Sequence, residues 1–302
     1  MIAFLESIRA VSWRLVVLAL TMSVAFSLAW SAVPLPRDTT NAGAQTARLV
    51  WATLVNWGEL LFIVGGFMFR LGRLRPADVG WRLPALGVGI LVTVGFWIAM
   101  QPALALYMLA NGQELRWNDA WSHPGPGYLL GALGSQLVGN ALLEETLFRA
   151  FLLPQFYLMA SRFCRKSVAL TVALLSSQLL FTLMHLPVQI LSRDLPADQV
   201  LEAQIENLIL GLALCAVYLA TRNLFVAVGL HALWNQPARL LPVPFEPGVK
   251  LVWFSLTAIL LVGWLSARTW RNRSGSHRPE SEVCARPQLP DAGHRNSSRG
   301  VL

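Results

Sequence analysis

The chain of 302 residues is 55% hydrophobic and only 13% charged, and its mean hydropathy is +0.52. Soluble domains carry about 25% charged residues, so this composition excludes an ordinary soluble fold. The formal net charge of +8 does not indicate a nucleic-acid partner, because the basic residues lie at the ends of apolar segments and in the C-terminal stretch.

Eight apolar segments separated by polar loops follow one another along the chain. They predict an all-α, polytopic integral membrane protein with about eight transmembrane helices and a polar active site buried in the bundle. The predicted spans are Leu15–Val33, Leu49–Phe69, a segment from Pro84 to Ala110, Gly127–Ala160, Val168–Leu186, Ile205–Ala220, Leu224–Leu241 and Val249–Ala267.

The second and third spans each contain residues that are unusual in a lipid-facing helix. Glu59, beside Asn56, is either an accessory polar group at a site or a structural hydrogen-bond partner. In the third span, Gly87, Gly89 and Gly95 are expected to let neighbouring helices approach closely.

The fourth segment is too long for one straight crossing. Its 34 residues would extend roughly 51 Å as an α-helix, against a hydrocarbon core of about 30 Å. We therefore expect Pro154 to divide it into a spanning helix and an interfacial continuation.

Charge and composition predict how the chain is organised around the membrane. Residues 1–267 are expected to form the membrane domain, with a core at about 127–237, and the Arg-, Ser-, Gly- and Pro-rich residues 268–302 a basic disordered tail. Seventeen of the 24 Lys and Arg residues fall on the N-terminal side of the predicted spans, six on the opposite side, and Arg149 lies within the fourth. The positive-inside rule then predicts that both termini lie in the cytoplasm. The short compact chain without organelle signals favours a multi-pass protein of the prokaryotic plasma (inner) membrane.

The fourth span contains two adjacent carboxylates, Glu144 and Glu145, and an arginine, Arg149. A charge in hydrocarbon costs about 2.5–3.5 kcal/mol on insertion scales, so these residues indicate a function. Glu145 and Arg149 are four positions apart and can pair on one helix face. Glu144 points about 100° away, on the face of Gln136 and Asn140, and is left free for chemistry.

Further polar groups lie in two later spans. His185 shares a helix face with Phe181, and His231 shares one with Asn235. A single histidine in a span is more often structural, but polar groups on three separate helices are harder to explain by packing. The candidate catalytic residues are Glu144, Glu145, Arg149, His185, His231 and Asn235.

The chemistry that these residue types support is hydrolysis. A carboxylate such as Glu144 can deprotonate water as a general base, a histidine can hold that water, and a His–Asn pair can stabilise an oxyanion. Two histidines with one or two glutamates are also compatible with a zinc site, so no cofactor is assigned and zinc stays an alternative. His-Glu-x-x-His, Gly-x-Ser and Gly-x-Gly-Asp motifs are missing from the sequence.

We expect Glu144, His185 and His231 to converge on one water-accessible pocket near mid-membrane. Counting residues from the end of each span, at a rise of about 1.5 Å per residue, places the three side chains at different depths in the membrane. It places His231 near the centre, Glu144 deeper toward the cytoplasm and His185 near the outer boundary. Helix tilt, which averages about 20°, moves such estimates by several ångströms.

Three motifs in this order resemble those of the CAAX-processing and bacteriocin-processing (CPBP) family, which includes the type II CAAX prenyl protease. They are Glu144-Glu145-x-x-x-Arg149, Phe181-x-x-x-His185 and His231-x-x-x-Asn235. The resemblance covers about Gly127–Pro237 and implies an eight-helix intramembrane endopeptidase of glutamic or metallo type.

The resemblance also implies roles for the site residues. Glu144 would be the base, His185 its helper, and His231 and Asn235 the oxyanion site. Glu145 and Arg149 would complete the first motif, the arginine in an organising role. The implied partners are a membrane-associated protein or peptide substrate and the lipid bilayer.

Two rival functions use the same residues without proteolysis. One is a non-catalytic membrane scaffold or bacteriocin-immunity protein in which the polar network is structural. The other is a transporter with a Glu and His proton relay, which is disfavoured because no internal repeat is visible.

Overall fold

The computed structural model describes residues 2–31, 42–243 and 247–275, and in these ranges the chain is helical with no strand. This is the expected result for an apolar chain, because a helix satisfies its own backbone hydrogen bonds without water. The all-α fold class is confirmed.

Nine helices, numbered here in chain order, make up the described part of the bundle. They are α1 (Ile2–Glu6), α2 (Trp13–Ser31), α3 (Ala42–Leu60, continued by a π-helical segment Leu61–Leu71), α4 (Leu83–Ala110), α5 (residues 126–160), α6 (Lys166–Leu183), α7 (Ala197–Thr221), α8 (Leu224–Asn235) and α9 (Pro247–Gly275). Single 3₁₀ turns at Pro76–Val79 and Asp119–Trp121 and a π-helical turn at Val188–Ser192 lie between them.

Five segments are long and apolar enough to cross a membrane, which confirms a multi-pass membrane protein. They are Gly43–Leu71, Pro76–Ala110, Lys166–Ser192, Ala197–Thr221 and Gly248–Trp270. Trp13–Ala29 and Leu224–Asn235 are apolar but shorter. The count of eight transmembrane helices therefore stays a prediction.

The C-terminal helix α9 ends at Gly275, beyond the predicted end of the eighth span at Ala267. Residues 276–302, which make up most of the predicted disordered tail, lie outside the described residues. The division into a membrane domain and a tail stays a prediction.

Helix α5 continues through residues 126–160 as five successive segments. These are α-helical Pro126–Ser135, π-helical Gln136–Asn140, α-helical Ala141–Glu144, π-helical Glu145–Leu152 and α-helical Leu153–Ala160. The expected division at Pro154 is not observed, because the backbone of Leu152 and Leu153 is helical and Pro154 lies in the first turn of the last segment. Proline lacks a backbone N–H, and in the first turn of a helical segment the loss of that donor costs least. The irregularity lies instead in the two π segments, which often mark functional sites.

Helix α8 occupies the centre of the bundle. All of its residues from Val226 to Trp234 are buried, and it packs against α4, α7 and the middle of α5. A helix with no lipid-facing side can carry polar groups wherever a protein partner exists. The position of α8 therefore brings His231 to the interior face of α5.

Helices α4 and α8 pack closely at one of the three glycines expected to permit such contact. A Cβ added at Gly89 would overlap Phe225 of α8, whereas Gly87 and Gly95 have no described neighbour within 4 Å. The sequence predicts close helix packing at all three glycines, but only Gly89 lies at such a contact.

We expect Gly89→Ala to destabilise the protein by about 1–3 kcal/mol, because the added methyl group must push α8 away. Thermal unfolding in detergent would measure the loss. Gly87→Ala is the matched control on the same helix, and it should be neutral or stabilising because alanine favours helix. Equal stability of the two variants would contradict the close contact at Gly89.

Candidate active site

Glu144 and Glu145 are neighbours in α5 but lie in different surroundings, since successive helical side chains point about 100° apart. The side chain of Glu144 is 19% exposed and lines a cavity of about 1320 Å³, while that of Glu145 has no exposure. The cavity walls come from α2, α3, α5, α7, α8 and the segments that follow α6 and α8. The two carboxylates therefore differ in environment as the sequence predicts.

His231 of α8 lies between the two carboxylates. Its Nδ1 is 2.8 Å from Glu145 Oε1, and its Nε2 is 3.5 Å from Glu144 Oε2. A carboxylate accepts hydrogen bonds, so Nδ1 carries the proton and donates to Glu145. Nε2 is thereby directed at Glu144.

His185 faces Glu144 from the other side. It lies in the turn that follows α6, where its Nδ1 is 2.8 Å from the carbonyl oxygen of Phe181. Because a carbonyl also only accepts, Nδ1 is again the donor and Nε2 faces the cavity. Nε2 lies 3.9 Å from Glu144 Oε1, which is too long for a direct hydrogen bond but suits a bridging water.

Arg149 is fully buried and contacts Glu145 on the side of the site that solvent does not reach. Its Nη1 is 3.1 Å from Glu145 Oε1, the ion pair expected from their spacing. Its Nη2 lies 3.2 Å from Gln178 Oε1 and 3.4 Å from the carbonyl oxygen of Gly211. The guanidinium also lies 4.3 Å from the centroid of the Phe181 ring. One cation thus joins α5, α6 and α7 around Glu145.

Asn235 lies one turn beyond His231 but does not bond to it. Its Nδ2 donates to Gln136 Oε1 at 3.0 Å, and Asn140 Nδ2 is 3.4 Å from the same oxygen. All three amides line the cavity, as the predicted polar stripe on α5 requires. Five of the six candidate residues therefore lie around the two carboxylates, each within 4 Å of another member, and Asn235 contacts α5 through Gln136.

Sequence reasoning did not identify two residues that support Arg149. Gln178 lies next to two serines in an otherwise apolar span, and its polar side chain could have identified it as a partner for a buried charge. Gly211 was detectable only as a glycine inside a helix. A Cβ there would overlap Gln178 Oε1 and lie 3.3 Å from Arg149 Nη2, so glycine is needed for the contact. Glu59 and Asn56, noted in the sequence, line the same cavity.

The donors near Glu144 do not form a metal site of the usual kind. In residues 2–31, 42–243 and 247–275, no group of three or more His, Cys, Asp or Glu side chains is arranged to hold a metal ion. Catalytic zinc normally takes three protein ligands. Whether the site is of the glutamic or the metallo type stays a prediction.

We expect Arg149→Ala to destabilise the protein by about 3–5 kcal/mol, because it leaves the buried Glu145 carboxylate without its cation. Activity should fall with thermal stability in detergent. Adding Glu145→Gln should restore part of the stability by removing the unpaired charge, but not the activity, since His231 then loses its carboxylate. An Arg149→Ala protein as stable as wild type would contradict the ion pair.

Comparison with known proteins agrees with the three motifs. Residues 126–236 match the family model described as type II CAAX prenyl endopeptidase Rce1-like. No curated protein and no solved structure matches the chain. The matched range contains all six candidate residues and nearly coincides with the range of the predicted resemblance. Residues 126–236 are therefore an Rce1-like segment, and the family expected from the motifs is confirmed over that range.

Proposed function

We propose that the protein is an intramembrane endopeptidase that hydrolyses a peptide bond of a membrane-associated protein or peptide, with Glu144 as the general base. The observation that carries the proposal is the geometry around Glu144. Its carboxylate lines a cavity and faces Nε2 of both His185 and His231, at 3.9 and 3.5 Å.

The space between Glu144 and His185 suits the nucleophilic water. A water placed there donates one hydrogen to the carboxylate and the other to the unprotonated Nε2 of His185. Its oxygen lone pair then points into the cavity, toward a bound peptide carbonyl. Glu144 takes the proton as the oxygen attacks, and the resulting carboxylic acid gives that proton to the leaving amine. One water and one peptide bond become one carboxylic acid and one amine.

His231 and Asn235 are the proposed donors to the oxyanion of the tetrahedral intermediate. Because Nδ1 of His231 already donates to Glu145, Nε2 can donate only when the ring is protonated. The Glu145 carboxylate stabilises that imidazolium. Asn235 uses one amide hydrogen on Gln136 and keeps a second for the oxyanion.

Glu145 and Arg149 are positioning residues in this mechanism. Both have no solvent exposure, so neither reaches a substrate in the cavity. The ion pair fixes the carboxylate oxygen that orients His231. This orientation resembles the way in which a buried carboxylate fixes the imidazole of a catalytic triad.

The setting of the enzyme follows from the charge distribution of the sequence. We place it in the plasma (inner) membrane of a prokaryote, with both termini and the basic tail on the cytoplasmic side. Its substrate is membrane-associated, because the cavity is formed among apolar helices that lipid surrounds.

Glu144→Gln should abolish cleavage of a membrane-anchored model substrate in proteoliposomes while leaving thermal stability unchanged. The amide keeps the volume of the carboxylate but cannot take a proton from water. Glu206→Gln is a matched control, because Glu206 lines the same cavity but pairs with Lys250. Near wild-type cleavage by Glu144→Gln would rule out the general-base role. No cleavage by a well-folded wild-type protein, across a panel of anchored peptides, would favour the scaffold alternative.

We expect the purified enzyme to need no tightly bound metal, because the described donors lack a three-ligand set. Elemental analysis should find less than stoichiometric zinc, and a chelator should leave cleavage unchanged. Stoichiometric zinc, with activity lost to the chelator and restored by added zinc, would overturn the metal-free mechanism.

A further inference from the structure

Glu59 of α3 lines the same cavity as Glu144 but has no role in the proposed mechanism. It lies outside residues 126–236, so the Rce1-like match does not extend to it. The sequence leaves two roles open for this carboxyl group, an accessory polar group at a site or a structural hydrogen-bond partner. The position and the partners of Glu59 distinguish these two roles.

Two contacts give the direction of α3 relative to α5. Thr53 Oγ1 lies 2.6 Å from Ser135 Oγ, and a Cβ added at Gly139 would lie 3.5 Å from Asn56 Cβ. From the first contact to the second, the residue numbers increase on both helices. The helices α3 and α5 therefore run parallel and side by side at this level of the bundle.

The parallel arrangement brings Glu59 close to the depth of the proposed base. Glu59 is three residues beyond Asn56, and Glu144 is five residues beyond Gly139. At about 1.5 Å per residue these advances are roughly 4.5 and 7.5 Å, so the two positions differ by about 3 Å in depth. Glu59 thus reaches the cavity from α3 where Glu144 reaches it from α5.

No hydrogen-bond or ion-pair partner of Glu59 is present in residues 2–31, 42–243 and 247–275. The arginines of its own helical segment, Arg48 and Arg70, are each eleven residues away, which for Arg48 is roughly 16 Å along the helix. The neighbouring charged group that acts on Glu59 is Glu144, and its like charge is repulsive. A structural hydrogen-bond role for Glu59 is therefore not observed.

A second carboxylate in the cavity wall, Glu206 of α7, is compensated in the ordinary way. Its Oε1 pairs with the ammonium group of Lys250 on α9. Within the described part of the chain, Glu59 differs from Glu206 because no cation of the protein pairs with it.

A carboxyl group among apolar helices is stabilised by a proton or by a nearby cation, because an isolated charge is costly there. A peptide in the cavity can supply that cation as a Lys or Arg side chain. Opposite charges attract more strongly in the low dielectric between packed helices than in bulk water, so such a pair should affect substrate choice measurably.

The distance between α3 and α5 limits which substrate residue can reach Glu59. Packed helices lie about 8–10 Å apart between their axes, and an extended peptide advances about 3.3 Å per residue. A substrate cation that meets Glu59 therefore lies within about three residues of the peptide bond that Glu144 attacks.

We propose that Glu59 determines substrate specificity by pairing with a Lys or Arg side chain close to the scissile peptide bond. The pairing gives the substrate class a chemical feature, a basic residue at a fixed distance from the cleavage site. The proposal rests on the peptidase function proposed above, since it places the basic side chain relative to the bond that Glu144 attacks.

Charge exchange between enzyme and substrate provides the test. Each peptide of a membrane-anchored panel is made in three versions, with Lys, Gln or Glu at one position near a candidate scissile bond. The kcat/KM of each version is measured in proteoliposomes for wild type, Glu59→Gln and Glu59→Lys. Glu206→Gln is the matched control, because Glu206 lines the same cavity but is already paired. Binding of the same peptides to Glu144→Gln, with and without Glu59→Gln, is measured by fluorescence anisotropy and does not depend on cleavage.

We expect wild type and Glu206→Gln to favour the Lys version over the Gln version by about tenfold or more at one position of the peptide. Glu59→Gln should lose most of this preference through slower cleavage of the Lys version. Glu59→Lys should favour the Glu version instead, a gain that misfolding cannot produce.

Two results would overturn the role of Glu59. One is a wild type without charge preference at any position, and the other is a preference that Glu59→Gln leaves unchanged. If no peptide is cleaved, the peptidase proposal fails and the binding series decides the role of Glu59. Tighter binding of the Lys version that is lost with Glu59→Gln would keep the cation site, and equal binding of all versions would overturn it as well.

Discussion

Glu145 holds its carboxylate at a position without solvent exposure, where an unpaired charge would cost several kcal/mol. One oxygen, Oε1, meets both the guanidinium of Arg149 and Nδ1 of His231. The first contact compensates the buried charge, and the second fixes the ring so that Nε2 faces Glu144. The direction of the His231 imidazole thus depends on an ion pair that has no access to the cavity.

The same ion pair determines which helices must meet. Burying the guanidinium of Arg149 is less costly when its N–H groups find acceptors, and Nη2 finds two, Gln178 Oε1 on α6 and the Gly211 carbonyl on α7. The ring of Phe181 covers the guanidinium and lies edge-on to His185, with centroids 4.8 Å apart. A displacement of α6 or α7 would therefore disturb both the buried charge and the cavity-facing histidine. This coupling explains how groups on separate helices remain aligned.

The sequence predicted the helical membrane class, the Rce1-like match of residues 126–236 and the meeting of Glu144, His185 and His231, because ionisable groups in apolar spans are conspicuous. Depth counting assumed straight α-helices, whereas α5 contains two π segments and His185 lies in the turn after α6. The partners of Arg149 could not be predicted, since the contact with Gln178 spans 29 positions and depends on how α5 crosses α6. The extent of each span was also uncertain, because a buried helix such as α8 need not match the thickness of a bilayer.

Helix α8 has 12 residues and is about 18 Å long, which is shorter than a hydrocarbon core of about 30 Å, and irregular backbone follows Asn235. Such backbone cannot face hydrocarbon. Here Trp97 donates to the carbonyl oxygen of Ala238, Gln101 accepts from the N–H of Leu240, and Gln236–Arg239 border the cavity. The backbone that follows the short helix is therefore part of the cavity wall. In the proposed hydrolysis, water and an unwound substrate strand would meet polar partners there and not hydrocarbon.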